Sequence, residues 1–272
     1  MLSFKKILDF YINSSLHVAF SALALTAMTV RFYGIPQALN CLLFVFCSTL
    51  VGYNFVKYDA LVRTKQNTWR VELKLILLLS FVASLVGLYS FFQFQLRTQL
   101  FIVIPFLLTL LYTLPFFPNR ANARNWKGVK IYMVSFCWVL MTVFFPLVFG
   151  RITIDSSVFW LSIQRFILIF VLVLIFEIID VTKDDPHLQT VPQMIGVEKT
   201  KKLGYLLLSV LVLIDVLQPQ IHWVALSFKI LVSVTIALFL YYSKETKSRY
   251  YSSFWAEGIP VFWWLLFTLL KS

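Results

Sequence analysis

Residues 157–185 read SVFWLSIQRFILIFVLVLIFEIIDVTKDD. The first part, 157–179, is an apolar run long enough to cross the roughly 30 Å of bilayer hydrocarbon as a helix. It then meets water abruptly, in a segment carrying Asp180, Lys183, Asp184 and Asp185. If the helix continues through this junction, spacings of three and seven put Glu177, Asp180 and Asp184 on one face, within about 60° of each other. Like charges on one face repel, and a helix C-terminus disfavours anions. A solvated acidic helix end is the plain structural account. A divalent-cation site explains the cluster better.

The rest of the chain has the same character. Its 272 residues are 60% hydrophobic and only 13% charged, about half the charge of an ordinary soluble domain. Mean hydropathy is +0.83. These values exclude a soluble globular class and indicate an all-α polytopic membrane protein. Apolar runs of spanning length fall at 12–32, 36–56, 74–94, 98–116, 129–149, 157–179, 203–217, 221–242 and 253–270. The expectation is nine transmembrane helices in a single integral-membrane domain covering 1–272. Residues 1–11 have the pattern of a short interfacial helix. The first apolar run lacks a small-residue cleavage site and reads as a retained span.

The net charge of +12 invites a nucleic-acid reading, which its distribution rejects. Arg31, Arg97, Arg151 and Lys271 lie on one side of the predicted bundle. Arg165 and Lys229 fall within spans, and the remaining bases of the 24 share the other side. The positive-inside rule places that richer side, with the N-terminus and the loops after spans 2, 4, 6 and 8, in the cytoplasm. Cys41, Cys47 and Cys137 sit in apolar segments without metal or disulfide spacing. Within the spans, Arg165, Lys229, Asp215 and Glu257 are costly groups. Arg165 and Lys229 either pair or reach for water, and the sequence does not choose.

Three loops of the basic side carry chemistry. After span 6 come the acids, then Pro186, Thr190-Val-Pro192-x-x-x-Gly196 and the basic stretch 198–202. Carboxylates beside lysines suit a Mg²⁺-bound diphosphate, because Mg²⁺ takes one or two carboxylates with phosphate oxygens and water. Lys and Arg neutralise the remaining phosphate charge. After span 2, VGYNFVKYDALVRTK offers Asn54, Asp59 and Arg63. A simple helix cap with an Asp59–Arg63 pair explains it equally well. After span 4, Arg120, Arg124, Lys127 and Lys130 come without an intervening acid. The 28 Phe, 8 Trp and 12 Tyr supply interfacial belts and packing, and their ring faces also attract cations.

These features resemble the UbiA superfamily of intramembrane prenyltransferases. Asp180-x-x-x-Asp184 is similar to the family's second aspartate motif, Glu177 stands at its upstream acid, and Thr190-Val-Pro192-x-x-x-Gly196 is similar to its TLPxxxG. The resemblance implies nine helices and transfer of a prenyl group from a polyprenyl diphosphate to an aromatic or other lipophilic acceptor. It implies Mg²⁺ at Asp180, Asp184, Glu177, Asn54 and Asp59, with Asp180, Asp184 and Asp59 catalytic. Substrate would meet Asn54, Arg63, Tyr112, Arg120, Arg124 and Lys130. The first motif departs from the family: Phe55 and Tyr58 stand where acids are expected, and Phe116 replaces a lysine after Tyr112. Those departures favour an alternative, a relative that binds an isoprenoid or a partner without transfer. A transporter would want charges at mid-membrane on facing helices, whereas the acids here cluster at the rim.

Overall fold

The structure is a computed structural model that describes residues 4–63, 71–116, 122–218 and 223–269, with the side chains of 60–63 and 125 outside that description. Among the described residues it contains helices and no strand. Helix α1 (Phe4–Asn13) is amphipathic and buries only Ile12. At Ser15, which takes a left-handed conformation with φ 61°, the chain turns by 59° into α2 (Leu16–Phe32). There follow α3 (Leu39–Arg63), α4 (Val71–Phe92) and α5 (Leu96–Thr113). Helix α6 (Val129–Val139) passes through a π-turn at Leu140–Phe144 into α7 (Phe145–Phe149). The π-turn ends two residues before Pro146, which has no N–H to continue the α ladder. Helix α8 (Ser156–Ile179) is followed by the short α9 (Val191–Ile195), then α10 (Val197–Val216), α11 (Trp223–Tyr242) and α12 (Ile259–Leu269).

Six of these helical segments are long and apolar enough to cross a bilayer by themselves, and the bent α1–α2 pair makes a seventh. The protein is an integral membrane protein. Of the nine expected spans, seven correspond to these segments, and the count of nine is not established among the described residues. The run 203–217 lies inside α10, whose first two turns carry Glu198, Lys199, Lys201 and Lys202. The run 253–270 is divided between a π-turn at Tyr251–Ala256 and the eleven residues of α12. Gly258 and Pro260 stand at that division.

Helix α3 packs between α2 and α4. Helix α6 packs on α8, α8 on α10, α10 on α11, and α12 returns to α2 to close the bundle. Burial decides which helix is central. The spanning window of α8 is 61% buried, against 22% for α4, so α8 is the axis and α4 an outer helix. The main core cluster joins Leu25 of α2 to Leu168, Val171 and Ile175 of α8 and to Ile236 and Leu240 of α11. Close approach of α10 to α11 requires Gly204, where a Cβ would fall 2.3 Å from the Leu240 side chain. The π-turn at Tyr251–Ala256, just before α12, is tied to α2 by a hydrogen bond donated by His17 Nε2 to the Phe254 carbonyl at 2.8 Å.

Candidate active site

Helix α8 ends at Ile179, with Asp180 as its C-cap. The continuous helical face expected for Glu177, Asp180 and Asp184 is thus corrected: Asp184 lies in the turns that follow. Pro186 and the two preceding acids leave little reason for the helix to continue. Each carboxylate has its own partner. Glu177 is 1% exposed and its Oε2 accepts the Val191 N–H at 3.1 Å, so it ties α8 to the start of α9. Asp180 Oδ1 pairs with Lys183 Nζ at 3.0 Å, its side chain 40% exposed. Asp184 Oδ2 pairs with Lys130 Nζ of α6 at 3.2 Å, and both side chains are mostly buried. The repulsion inferred from the sequence is eased by the ion pairs of Asp180 and Asp184, while Glu177 accepts from a backbone N–H.

The Thr190–Gly196 segment explains how this loop is held. The Thr190 N–H donates to Gln193 Oε1 at 3.0 Å, and Gln193 Nε2 donates to the Asp184 carbonyl at 3.1 Å. Pro192 sits in the first turn of α9, where its missing N–H costs nothing. Gly196 ends α9 at φ 81°, a backbone conformation that favours glycine. Gln193 was not among the expected site residues. The Thr190-x-x-Gln193 spacing, a capping-box pattern, was the signal that could have found it. Gly128, just before α6, donates its N–H to the Leu188 carbonyl at 2.9 Å, joining the loop before α6 to the loop after α8.

Opposite this loop, Tyr112 is buried at the end of α5. It lies within electrostatic reach of Arg124, Glu177 and Asp184. Arg124 is half-buried in a short 3₁₀ turn, Ala123–Asn125. The structure thus brings together five expected site residues: Tyr112, Arg124, Lys130, Glu177 and Asp184. Asp180 stands beside them at the surface. Arg120 and the side chain of Arg63 lie outside the described residues.

The remaining expected residues, on α3, are placed differently. Asn54 is 3% exposed, and its Nδ2 donates to the Ser14 carbonyl at 3.0 Å and to Ser80 Oγ at 2.8 Å. Its Oδ1 is buried without a partner. Lys57, read from sequence only as a topology charge, donates to the Ile12 carbonyl and to Ser15 Oγ at 3.0 Å. Tyr58 Oη donates to the Asn13 carbonyl at 2.9 Å. These three side chains hold the α1–α2 bend. Asp59, half-buried, is the next residue along α3.

A cavity of about 500 Å³ runs along α3, α5 and α6. Its walls include Phe44, Tyr53, Phe55, Phe106, Tyr112 and Trp138. Trp138 Nε1 donates to Tyr53 Oη at 2.8 Å, so the one indole N–H on this wall is satisfied internally. Tyr112 belongs both to the cavity and to the charged rim. The arrangement fits an amphiphile with an apolar, unsaturated tail and an anionic head.

Among the described residues, no three His, Cys, Asp or Glu side chains converge as metal ligands. Asp180 and Asp184 are one turn apart, the Asp184 N–H donating to the Asp180 carbonyl at 2.8 Å. Two hard carboxylates of this kind fit Mg²⁺, which completes its shell with phosphate oxygens and water.

No protein-family model matches the sequence, and no curated protein matches it either. In structure, the chain is similar to a UbiA homolog from Archaeoglobus fulgidus bound to GPP and Mg²⁺. The TM-score is 0.62 at 14% identity, over 97% of this chain and 99% of that one. The chain has the UbiA fold. At 14% identity the two sequences have little in common, so what is shared is the fold. The likeness to the UbiA homolog therefore speaks to architecture, and the chemistry rests on the side chains described above.

Proposed function

We propose that this chain is a Mg²⁺-dependent prenyltransferase of the UbiA superfamily, transferring a prenyl group from its diphosphate to a lipophilic acceptor within the membrane. The observation that carries this reading is Tyr112, where an aromatic-walled cavity meets Arg124, Glu177 and Asp184. The apolar tail lies in the cavity, which excludes water. The diphosphate is met at the rim by Arg124 and Lys130, and the resemblance assigns it also to Arg63 and Arg120, whose side chains lie outside the described residues. Asp180 and Asp184 hold Mg²⁺, which when bound neutralises charge on the departing diphosphate. Glu177 holds α8 to α9 and so fixes the height of Asp184. The aromatic walls face the allylic cation as it forms. The acceptor then attacks the prenyl C1, and its proton leaves to water at the rim. Asp59 assists from α3, while Asn54 is spent on the α1–α2 bend. The basic rim faces the cytoplasm, as the distribution of Lys and Arg implies.

A second reading is favoured by the α3 residues. Asn54, Lys57 and Tyr58 spend their hydrogen bonds on the α1–α2 bend, which is the behaviour of a scaffold that binds an isoprenoid without transfer. One experiment separates the two readings. Purified protein in lipid is given geranyl, farnesyl and longer diphosphates with a panel of phenolic and naphthoic acceptors, with and without Mg²⁺. Transfer requires acceptor-dependent diphosphate release that vanishes with chelator. Saturable binding of the same diphosphates with no release, under every acceptor, sinks the enzymatic reading and leaves the binding one.

A further inference from the structure

A second cavity, of about 470 Å³, lies between α2, α8, α10, α11 and α12. Arg165 of α8 is on its wall. Glu177 lies twelve residues further along α8, so this cavity is about 18 Å from the rim along the helix axis. Arg165 is 4% exposed. Its Nη2 makes one long bond to Thr29 Oγ1 at 3.4 Å, and its Nη1 is buried with no partner. The carboxylate that could serve it is already taken. Asp215 forms an ion pair with Lys229, and Gln164 bridges the two, donating to Asp215 and accepting from Lys229 Nζ at 2.9 Å. Of the charged groups lining the cavity, Arg165 and Lys229 are cationic and Asp215 is anionic, which leaves one uncompensated positive charge.

A buried guanidinium without a counter-ion is costly in a low-dielectric setting, and an ionisable group inside a membrane span marks a functional position by default. The rest of the cavity is apolar and aromatic, with Phe32, Trp160, Phe228, Trp263 and Phe267 on its walls. Phe32 is 63% and Trp160 40% exposed, so the cavity opens at the outer surface of the bundle. At the same end, the Arg31 guanidinium sits 5.4 Å from the centre of the Phe267 ring. The volume is within the range of small-molecule sites.

We propose that this cavity is a second binding site, for a membrane amphiphile with one anionic head, carboxylate or phosphate. The head accepts from Arg165 Nη1, and the chain lies along the aromatic wall towards the bilayer. The site is independent of the transfer reaction and stands whether or not the rim is catalytic.

The test uses the purified full chain in neutral detergent, with quenching of tryptophan fluorescence by brominated probes, since Trp160 and Trp263 line the site. The probes are dibromostearate, a brominated lysophosphatidate and a neutral brominated monoacylglycerol. The two anionic probes are expected to bind at least tenfold more tightly than the neutral one. Arg165→Met is expected to abolish that preference, and Ala225→Phe, at the exposed rim of the cavity, to weaken all three probes. Equal affinity for anionic and neutral probes in the native chain overturns the proposal, as does an anionic preference that survives Arg165→Met. If that variant does not fold, Asp215→Asn decides. Freed from its carboxylate, Lys229 adds to the pull on the head, so anionic probes bind more tightly, and unchanged affinity overturns the proposal. Comparison of the two anionic probes tells carboxylate from phosphate. Displacement of the lysophosphatidate by inorganic phosphate at equal concentration marks a free-anion site and overturns the amphiphile.

Discussion

The ends of α8 and α3 face the same rim with similar polar inventories and use them in different ways. At the end of α8, the acids meet cations from another helix: Lys130 reaches Asp184 across from α6, and Tyr112 brings Arg124 into the same field. At the end of α3, Asn54, Lys57 and Tyr58 bond to backbone or hydroxyl groups at the α1–α2 bend. The first arrangement can exchange a lysine for a diphosphate or a metal without disturbing the backbone, because both partners of the Lys130–Asp184 pair are side chains. In the second, the polar atoms are committed to backbone groups whose loss leaves buried donors and acceptors unpaired. Ligand chemistry is therefore weighted towards α8, and α3 supplies the frame.

The largest effect is expected at the α8 end. Asp184→Asn or Asp180→Asn should lower Mg²⁺-dependent prenyl transfer by about 10²–10³-fold, the usual cost of removing an electrostatic stabiliser of the transition state. Thermal stability should change little for the exposed Asp180. Transfer that survives both substitutions removes the chemical half of the comparison. Lys130→Met comes next. A hydrogen bond to a charged group contributes about 1.5–3 kcal/mol, so affinity for prenyl diphosphate should fall by about 10–100-fold, measured by equilibrium binding without acceptor. Unchanged affinity would show that Lys130 serves Asp184 alone.

Asn54→Ala probes the frame. It should destabilise the fold by about 1–3 kcal/mol by leaving the Ser14 carbonyl unsatisfied, while transfer per folded molecule stays within about threefold of native, on the scale where 1.4 kcal/mol is tenfold. A collapse of transfer with unchanged melting temperature would move α3 to the chemical side. Tyr58→Phe should be milder, about 0.5–1.5 kcal/mol for one hydrogen bond. The smallest effect is expected at the far end of α8, where Asp155 is an N-cap whose carboxylate is kept below the usual range by the Ser157 hydroxyl and then by the Val158 N–H. A depressed folded-state value means that its stabilisation is present above the unfolded pKa and fades as pH falls through the folded one. Melting curves on the acid side should show this loss in native protein and not in Asp155→Asn. Identical acid slopes would contradict the cap.

Much of this was legible in the sequence. The run 157–179 is helical and central because it is almost wholly apolar between its ends, Gln164 and Arg165 excepted, and the structure places α8 at the axis. The apolar, low-charge composition carried the membrane class. The path of the backbone, read from the acidic loop and Thr190–Gly196, agrees with the UbiA fold found by structural similarity. Hydropathy windows average over breaks, so the nine expected spans are not matched one for one by unbroken apolar helices among the described residues. Ser15 bends one expected span, charged turns precede the apolar part of α10, and Gly258 with Pro260 divides the last.

By itself, the sequence determined the solvent each segment can tolerate and the charge each loop carries, since both are sums over residues. Tertiary structure alone decided which polar group meets which. Glu177 turns inward to a backbone N–H while Asp184 finds Lys130. Asn54 and Lys57 go to the bend, and Arg165 is left in an aromatic cavity while Asp215 pairs with Lys229. Hydrogen bonds and ion pairs act over a few ångströms between helices far apart in the chain, and no periodicity along one segment records where another will come to rest against it.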